Sequence, residues 1–209
     1  MMEYIFTEEE FNLFNVKGLD TQMPMIRSKI RPLFRYYGRF VSEHIQTKLN
    51  LAEPLPVHVA KHIQRSVHEL ESTWCAIGGD NRGYKKYPHF QIGINGEYIF
   101  IMLSFIDNIL HQKDIAKLFQ SDIAAFQSLP EDITIIPDHT KLAYESILEA
   151  DLEKLFERLE KVKSAEFMIG RIEPKINHQL QSEEDYKVWL AKAVDEFLPM
   201  YQKAMKFYE

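Results

Sequence analysis

The sequence predicts an α+β fold: a mainly antiparallel sheet, with a central four-strand meander plus one or two further strands, covered by α-helices. Three observations predict it. Apolar residues recur at helical spacing toward both ends of the chain. The middle changes to short runs rich in β-branched and aromatic residues. Those runs follow one another through short connections, which antiparallel pairing permits and parallel pairing does not.

Each element has its own signal. "FTEEEF" opens with a capping-box pattern, Thr7 with Glu10, and predicts a short helix. Asp20 is the expected cap of a longer helix carrying Met23, Ile26, Ile30, Leu33, Phe34, Tyr37, Val41, Ile45 and Leu49 on one face. Pro32 is expected to kink or restart it, because proline lacks the backbone donor and crowds the preceding turn. "VHVAKHIQ", "STWCAIG", "PHFQIGI" and "EYIFIMLSFI" read as four successive strands. Helical spacing returns from Asp114 to Gln127, and "ITIIP" is a short strand. Leu152, Leu155, Phe156, Leu159 and Val162 mark an amphipathic helix, and "AEFMIGRIEP" a last strand. Ser182 with Asp185 caps a final helix whose apolar side holds Tyr186, Trp189, Ala193, Phe197, Met200 and Tyr201, with Pro199 as a candidate kink.

Asn95-Gly96 is a two-residue hairpin signal, because both positions tolerate positive φ. Such a turn sets Ile94 opposite Glu97, Ile92 opposite Ile99 and Phe90 opposite Ile101. Phe90, Ile92, Ile94, Ile99, Ile101 and Leu103 then share the core face. The other face carries His89, Gln91 and Gly93 beside Tyr98, Phe100 and Met102, a mixture that suits a covered surface or a ligand pocket. The plainer alternative is that Gly93 accommodates the ring of Tyr98 and a helix covers the rest.

With 209 residues and 45% hydrophobic content, the chain is expected to form one domain over residues 1–209. Its longest apolar run, Tyr98 to Leu103, is far short of the roughly 20 residues a membrane helix needs. The acidic "MMEYIFTEEEF" lacks the basic segment of a signal peptide, which points to a cytoplasmic protein without a membrane partner. The single cysteine, Cys75, excludes an internal disulfide framework and a cysteine-based zinc site. A net charge of -6 argues against general nucleic-acid binding.

The charge is uneven. Between Val57 and Asn95, Lys61, Arg65, Arg82, Lys85 and Lys86 against Glu69, Glu71 and Asp80 leave +2, and the remainder carries -8. His58, His62, His68 and His89 fall in the same window. A locally basic patch on an acidic chain favours a specific anionic partner. "GGDNRGYKK" is a glycine-bearing basic turn whose amides can form an anion nest, although it has neither Walker nor GxGxxG order. A solvated turn that keeps the protein soluble is the bland alternative.

Other chemistry has weaker support. His58, His62 and His89 are a candidate three-histidine metal set, but HxxxH here lacks the general base of HExxH. Asp138-His139 is a candidate acid-base pair. Cys75 lies in an apolar strand and reads as core. No GxSxG is present.

Four stretches carry a resemblance that spans nearly the whole chain: "FTEEEFNLFNVKGLD", "HVAKHIQRSV", "RGYKKYPHFQIG" and "LEKLFERLEKVKSAEF". In that order they resemble the YktB family of uncharacterised proteins from Gram-positive bacteria. The resemblance implies a compact bacterial α+β protein and supplies no activity, cofactor or catalytic residue.

The expected function is binding of a small anionic, phosphate- or nucleotide-like ligand. His58, His62, Arg65, Arg82, Lys85, Lys86, His89 and Gln91 are the candidate site residues, the cations neutralising the anion and His89 and Gln91 orienting it. Two alternatives remain open: an enzyme using a histidine general base in the same cleft, or a protein-interaction module without a small-molecule ligand.

Overall fold

The computed structural model describes residues 4–62, 68–176 and 178–209. The N-terminal box forms as the sequence predicts in α1 (Glu8–Asn12): Thr7 Oγ1 accepts from the Glu9 N–H, and the Glu10 carboxylate accepts from the Thr7 N–H. The second helix, α2 (Leu19–Met25), starts at Gly18 with φ 85° instead of at Asp20, which sits in the first turn. Between α2 and α3 (Arg31–Leu49) lies a π-helical turn, Ile26–Ile30. Pro32 explains the widening: it donates no hydrogen bond, and its ring would crowd a regular preceding turn. α3 ends at Asn50 in the left-handed conformation, φ 52°.

The strands are β1 (Val57–Val59), β2 (Ser72–Gly78), β3 (His89–Asn95), β4 (Tyr98–Phe105), β5 (Thr134–Ile136), β6 (Glu145–Ser146) and β7 (Phe167–Pro174). They form one seven-stranded antiparallel sheet in the order β1-β2-β3-β4-β7-β5-β6. The four-strand meander is as expected, and three further strands extend it; β6, two residues long, has no period to read. The helix expected over 114–127 is two, α4 (Gln112–Ser121) and α5 (Ile123–Gln127), parted at Asp122. α6 (Leu152–Lys161) and α7 (Glu183–Met205) complete the fold, α7 running unbroken through Pro199 from its Ser182–Asp185 box.

The β3–β4 hairpin is set two residues away from the expected register. Ile94 opposes Ile99, Ile92 opposes Ile101 and Phe90 opposes Leu103. Asn95 Oδ1 accepts from the N–H groups of Glu97 (2.7 Å) and Tyr98 (2.9 Å), which puts Gly96-Glu97 at the tip. Neither Asn95 nor Gly96 has positive φ. A slip of two preserves the faces, so the six predicted residues do share the buried core face.

That face packs on α3 and α7, and Phe105, Phe119, Phe126, Phe156 and Phe167 extend the core under α4–α6. Arg171, 5% exposed, lies among these apolar residues, held by Glu196 of α7 at 2.8 Å through Nε and Nη2 and by Asp132 through Nη1.

Among the described residues no helix covers the opposite face. Phe100 lies on Gly93, where an added Cβ would come within 2.1 Å of its ring. The segments 79–88 and 137–144 cover the rest. Tyr84 stacks edge-on against His89 with ring centroids 4.7 Å apart, and Tyr98 Oη donates to the Leu142 carbonyl at 2.8 Å. The expected pocket over this face is therefore filled, by Phe100 and not by Tyr98, and by loops in place of a helix. A space of about 20 Å³ remains beside Gln91, Asn95 and His139. Among the described residues no helix is long and apolar enough to cross a membrane.

Candidate functional site

A groove of about 1130 Å³ opens between β1, the first half of α3 and the 80–87 loop. Arg31, Arg35 and Arg39 of α3, Lys61 after β1, and Arg82, Lys85 and Lys86 of the loop line it, with His58 of β1. One acid, Asp80, joins them. The arginines stand at i, i+4 and i+8, on one helix face. The site thus draws on three segments that the fold brings to one end of the sheet.

Charge balance within the fold does not account for these cations. Arg39 pairs with Glu43 at 2.7 Å. Among the described residues, Arg31, Arg35, Lys61, Arg82, Lys85 and Lys86 make no ion pair. Like charges at i, i+4 destabilise a helix by roughly 0.2–0.5 kcal/mol per pair. Burial, followed by the charges of Arg27 and Arg35, pushes the Arg31 guanidinium below its ordinary value. The helix therefore carries a repulsive row that an anion would relieve.

The loop is anchored. Asp80 Oδ1 accepts from the N–H groups of Arg82 (2.7 Å) and Gly83 (3.1 Å), and the Asp80 carboxylate also accepts from Tyr87 Oη. Gly79, φ 76°, lets the chain turn where a Cβ would come within 2.3 Å of the Gly83 carbonyl. Tyr208, after α7, donates to the carbonyls of Lys86 and Leu110. Trp74 Nε1 donates to Tyr84 Oη at 3.0 Å. The anion nest expected from the glycines is thus filled by Asp80 itself, and the side chains of Arg82, Lys85 and Lys86 make no part of it.

The predicted site residues separate into groups. His58, Arg82, Lys85 and Lys86 line the groove. Arg65 lies outside the described residues. His62, in the left-handed conformation at φ 51°, has its Nε2 3.0 Å from Thr73 Oγ1 and its ring edge-on to Trp74. His89 and Gln91 are buried behind Tyr84 and do not line the groove. Burial pushes the His89 ring down to about 4, so it is neutral at neutral pH. Its Nδ1 faces the Tyr87 carbonyl at 2.8 Å and must carry the proton, so Nε2 accepts from the Gln91 amide. These two residues join the strand to the loop above it and lie outside the groove.

The remaining candidates resolve similarly. Among the described residues no three His, Cys, Asp or Glu side chains gather to hold a metal, so His58, His62 and His89 do not form the candidate set. His139 pairs with Glu166 at 2.7 Å and not with Asp138, whose carboxylate accepts from Thr140 and Lys141. Cys75 is buried in β2, its thiol pushed up to about 12 by burial. His58 Nε2 is enclosed and has no hydrogen-bond partner among the described residues. The arginines of α3 are the site residues that sequence reasoning missed. "RPLFRYYGR" shows their four-residue spacing, but attention to the apolar face of the same helix hides it.

Comparison with known proteins agrees with the resemblance carried by the sequence. Residues 6–201 match a family described as a domain of unknown function, DUF1054. A UPF0637 protein of Enterococcus faecalis is 42% identical over 201 residues, covering 96% of this chain and 98% of the relative. A UPF0637 protein of Listeria monocytogenes is 34% identical over 201 residues with the same coverage. One from Exiguobacterium sibiricum is 34% identical over 198 residues, covering 95% and 97%. The match over almost its whole length shows that the chain belongs to the DUF1054 family of uncharacterised proteins.

Proposed function

We propose that this protein is a binding protein for an anionic ligand, phosphate-bearing in its simplest form, and that the groove between α3, β1 and the 80–87 loop is its site. One observation carries the reading: six lysine and arginine side chains without an ion pair among the described residues converge on a groove with a single acid. That acid is already engaged by its own loop. Arginine offers paired donors to phosphate oxygens, and lysine adds point charge. An enzymatic base would be sought at His58, the groove's histidine, but its Nε2 is turned into the protein.

The test is calorimetric titration with pyrophosphate and ATP at low salt, on the wild type and on Arg35→Ala and Lys85→Ala. Each substitution removes a charge-assisted contact of roughly 1.5–3 kcal/mol, a loss of about tenfold or more in affinity. Both residues are exposed, so thermal stability should hardly change. Wild-type affinity in both variants, or no binding by the wild type, sinks the proposal.

A further inference from the structure

Among the described residues β1 is the outermost strand, and its unpaired edge forms part of the groove wall. In an antiparallel pair, residues that exchange hydrogen bonds with the neighbour alternate with residues that face away. The Ala60 N–H donates to the Trp74 carbonyl at 2.9 Å, and the Gly78 N–H to the Pro56 carbonyl at 3.0 Å. With His58 opposite Ala76, residues Pro56, His58 and Ala60 therefore face β2. Val57 and Val59 face outward. Their N–H and C=O groups open toward the groove and have no hydrogen-bond partner among the described residues.

α3 runs alongside this edge in the opposite direction. Arg31 Nη2 donates to the carbonyls of Ala60 (3.3 Å) and Lys61 (3.4 Å). Gly38 lies against Val57, and Ser42 Oγ donates to the Leu55 carbonyl at 2.6 Å. Successive arginines rise about 6 Å along the helix. Alternate side chains of an extended peptide are about 6.8 Å apart. A small phosphate needs only the cations. A row of open strand donors and acceptors beside those cations fits a backbone as well.

We propose that the partner of this groove is an acidic peptide segment that adds to the free edge of β1 as a further strand. Its backbone bonds to Val57 and Val59, and carboxylates at alternate positions meet Arg31 and Arg35. The proposal rests on the anion-binding reading and names the partner of that site. Charge complementarity selects the occupant: cations line both sides of the edge, and a basic or neutral strand would leave them unpaired.

The experiment compares two probes on the full chain: pyrophosphate, and a short acetylated, amidated peptide with Glu at alternate positions and Val or Thr between. Val59→Pro removes one edge donor that faces away from β2, a position where proline is tolerated. The expected result is a loss of at least about tenfold in peptide affinity with pyrophosphate binding unchanged, whereas Arg35→Ala weakens both. In the wild type, hydrogen exchange at the Val57 and Val59 amides should slow with the peptide and not with pyrophosphate. That second readout serves if Val59→Pro fails to fold. Peptide affinity unchanged in a folded Val59→Pro, or unchanged exchange at both amides, overturns the proposal. Pyrophosphate bound and the peptide not bound overturns the peptide alone. Neither probe bound overturns the anion-binding reading with it.

Discussion

Gln91 Nε2 donates to His89 Nε2 at 2.9 Å, and this bond holds only while the imidazole is neutral. Burial lowers the folded-state value to about 4 from the ordinary 6.5. Between those pH values the unfolded chain takes a proton that the folded one refuses, so stability falls as pH drops through this window. The loss is on the order of 3 kcal/mol when complete. Urea unfolding from pH 7 down to pH 4 should show that slope, and His89→Phe should flatten it. An equally steep slope in His89→Phe would assign the effect to other groups.

Gly93 and Gly170 lie on the loop-covered face, and each leaves no room for a methyl group. At Gly93 the obstacle is the Phe100 ring; at Gly170 it is the Ile101 carbonyl, 2.0 Å from an added Cβ. Overpacking of this kind costs about 1–3 kcal/mol. Gly93→Ala should be largely relieved in the double variant with Phe100→Leu, because a smaller side chain can give way. Gly170→Ala should not be relieved by Met102→Ala, because the backbone cannot. Chemical denaturation of the four variants reads the difference.

Arg171 is a buried charge whose partners reach it from two directions. Glu196→Ala leaves it with Asp132 alone and should destabilise by about 3–5 kcal/mol. Replacing the pair by Arg171→Met with Glu196→Leu should recover much of that loss, since neither desolvated charge remains. A double variant no more stable than Glu196→Ala contradicts this account.

Glu166 fastens the segment that covers the sheet's second face. Its carboxylate accepts from the N–H groups of Asp107 and His139, both at 2.9 Å, and pairs with the His139 ring. Burial raises its pKa, but these bonds more than offset that and hold the carboxylate below its ordinary value. Glu166→Ala strips three contacts at once and should cost about 2 kcal/mol or more. It should also speed amide exchange in residues 137–144 well before the sheet itself opens.

Much of the fold is legible in local chemistry. The Thr7–Glu10 and Ser182–Asp185 boxes form as read, and "STWCAIG" is β2 residue for residue. What escapes depends on interactions between distant segments or on one side chain competing for the backbone. The Asn95 carboxamide resets the hairpin, and Asp80 fills the nest that the glycines suggest. His62, four residues from His58, sits against Thr73 and Trp74 of the neighbouring strand. The site is half legible. The loop cations announce themselves, but their opposite bank is a helix that precedes them by about a quarter of the chain. That His89 and Gln91 lie buried outside the groove is hidden, because residue type records polarity and not burial.

Gly38 has no side chain, and α3 comes close to β1 because of it: an added Cβ would meet Val57 Cγ1 at 2.7 Å and Cys75 Sγ at 3.3 Å. The missing methyl therefore acts as a gauge, setting the distance between the arginine bank and the strand opposite. Gly38→Ala would leave every cation in place yet prise the banks apart, and whatever fits between them would change. In this protein the calibre of the groove is set by an atom that is absent and that no ligand would ever touch.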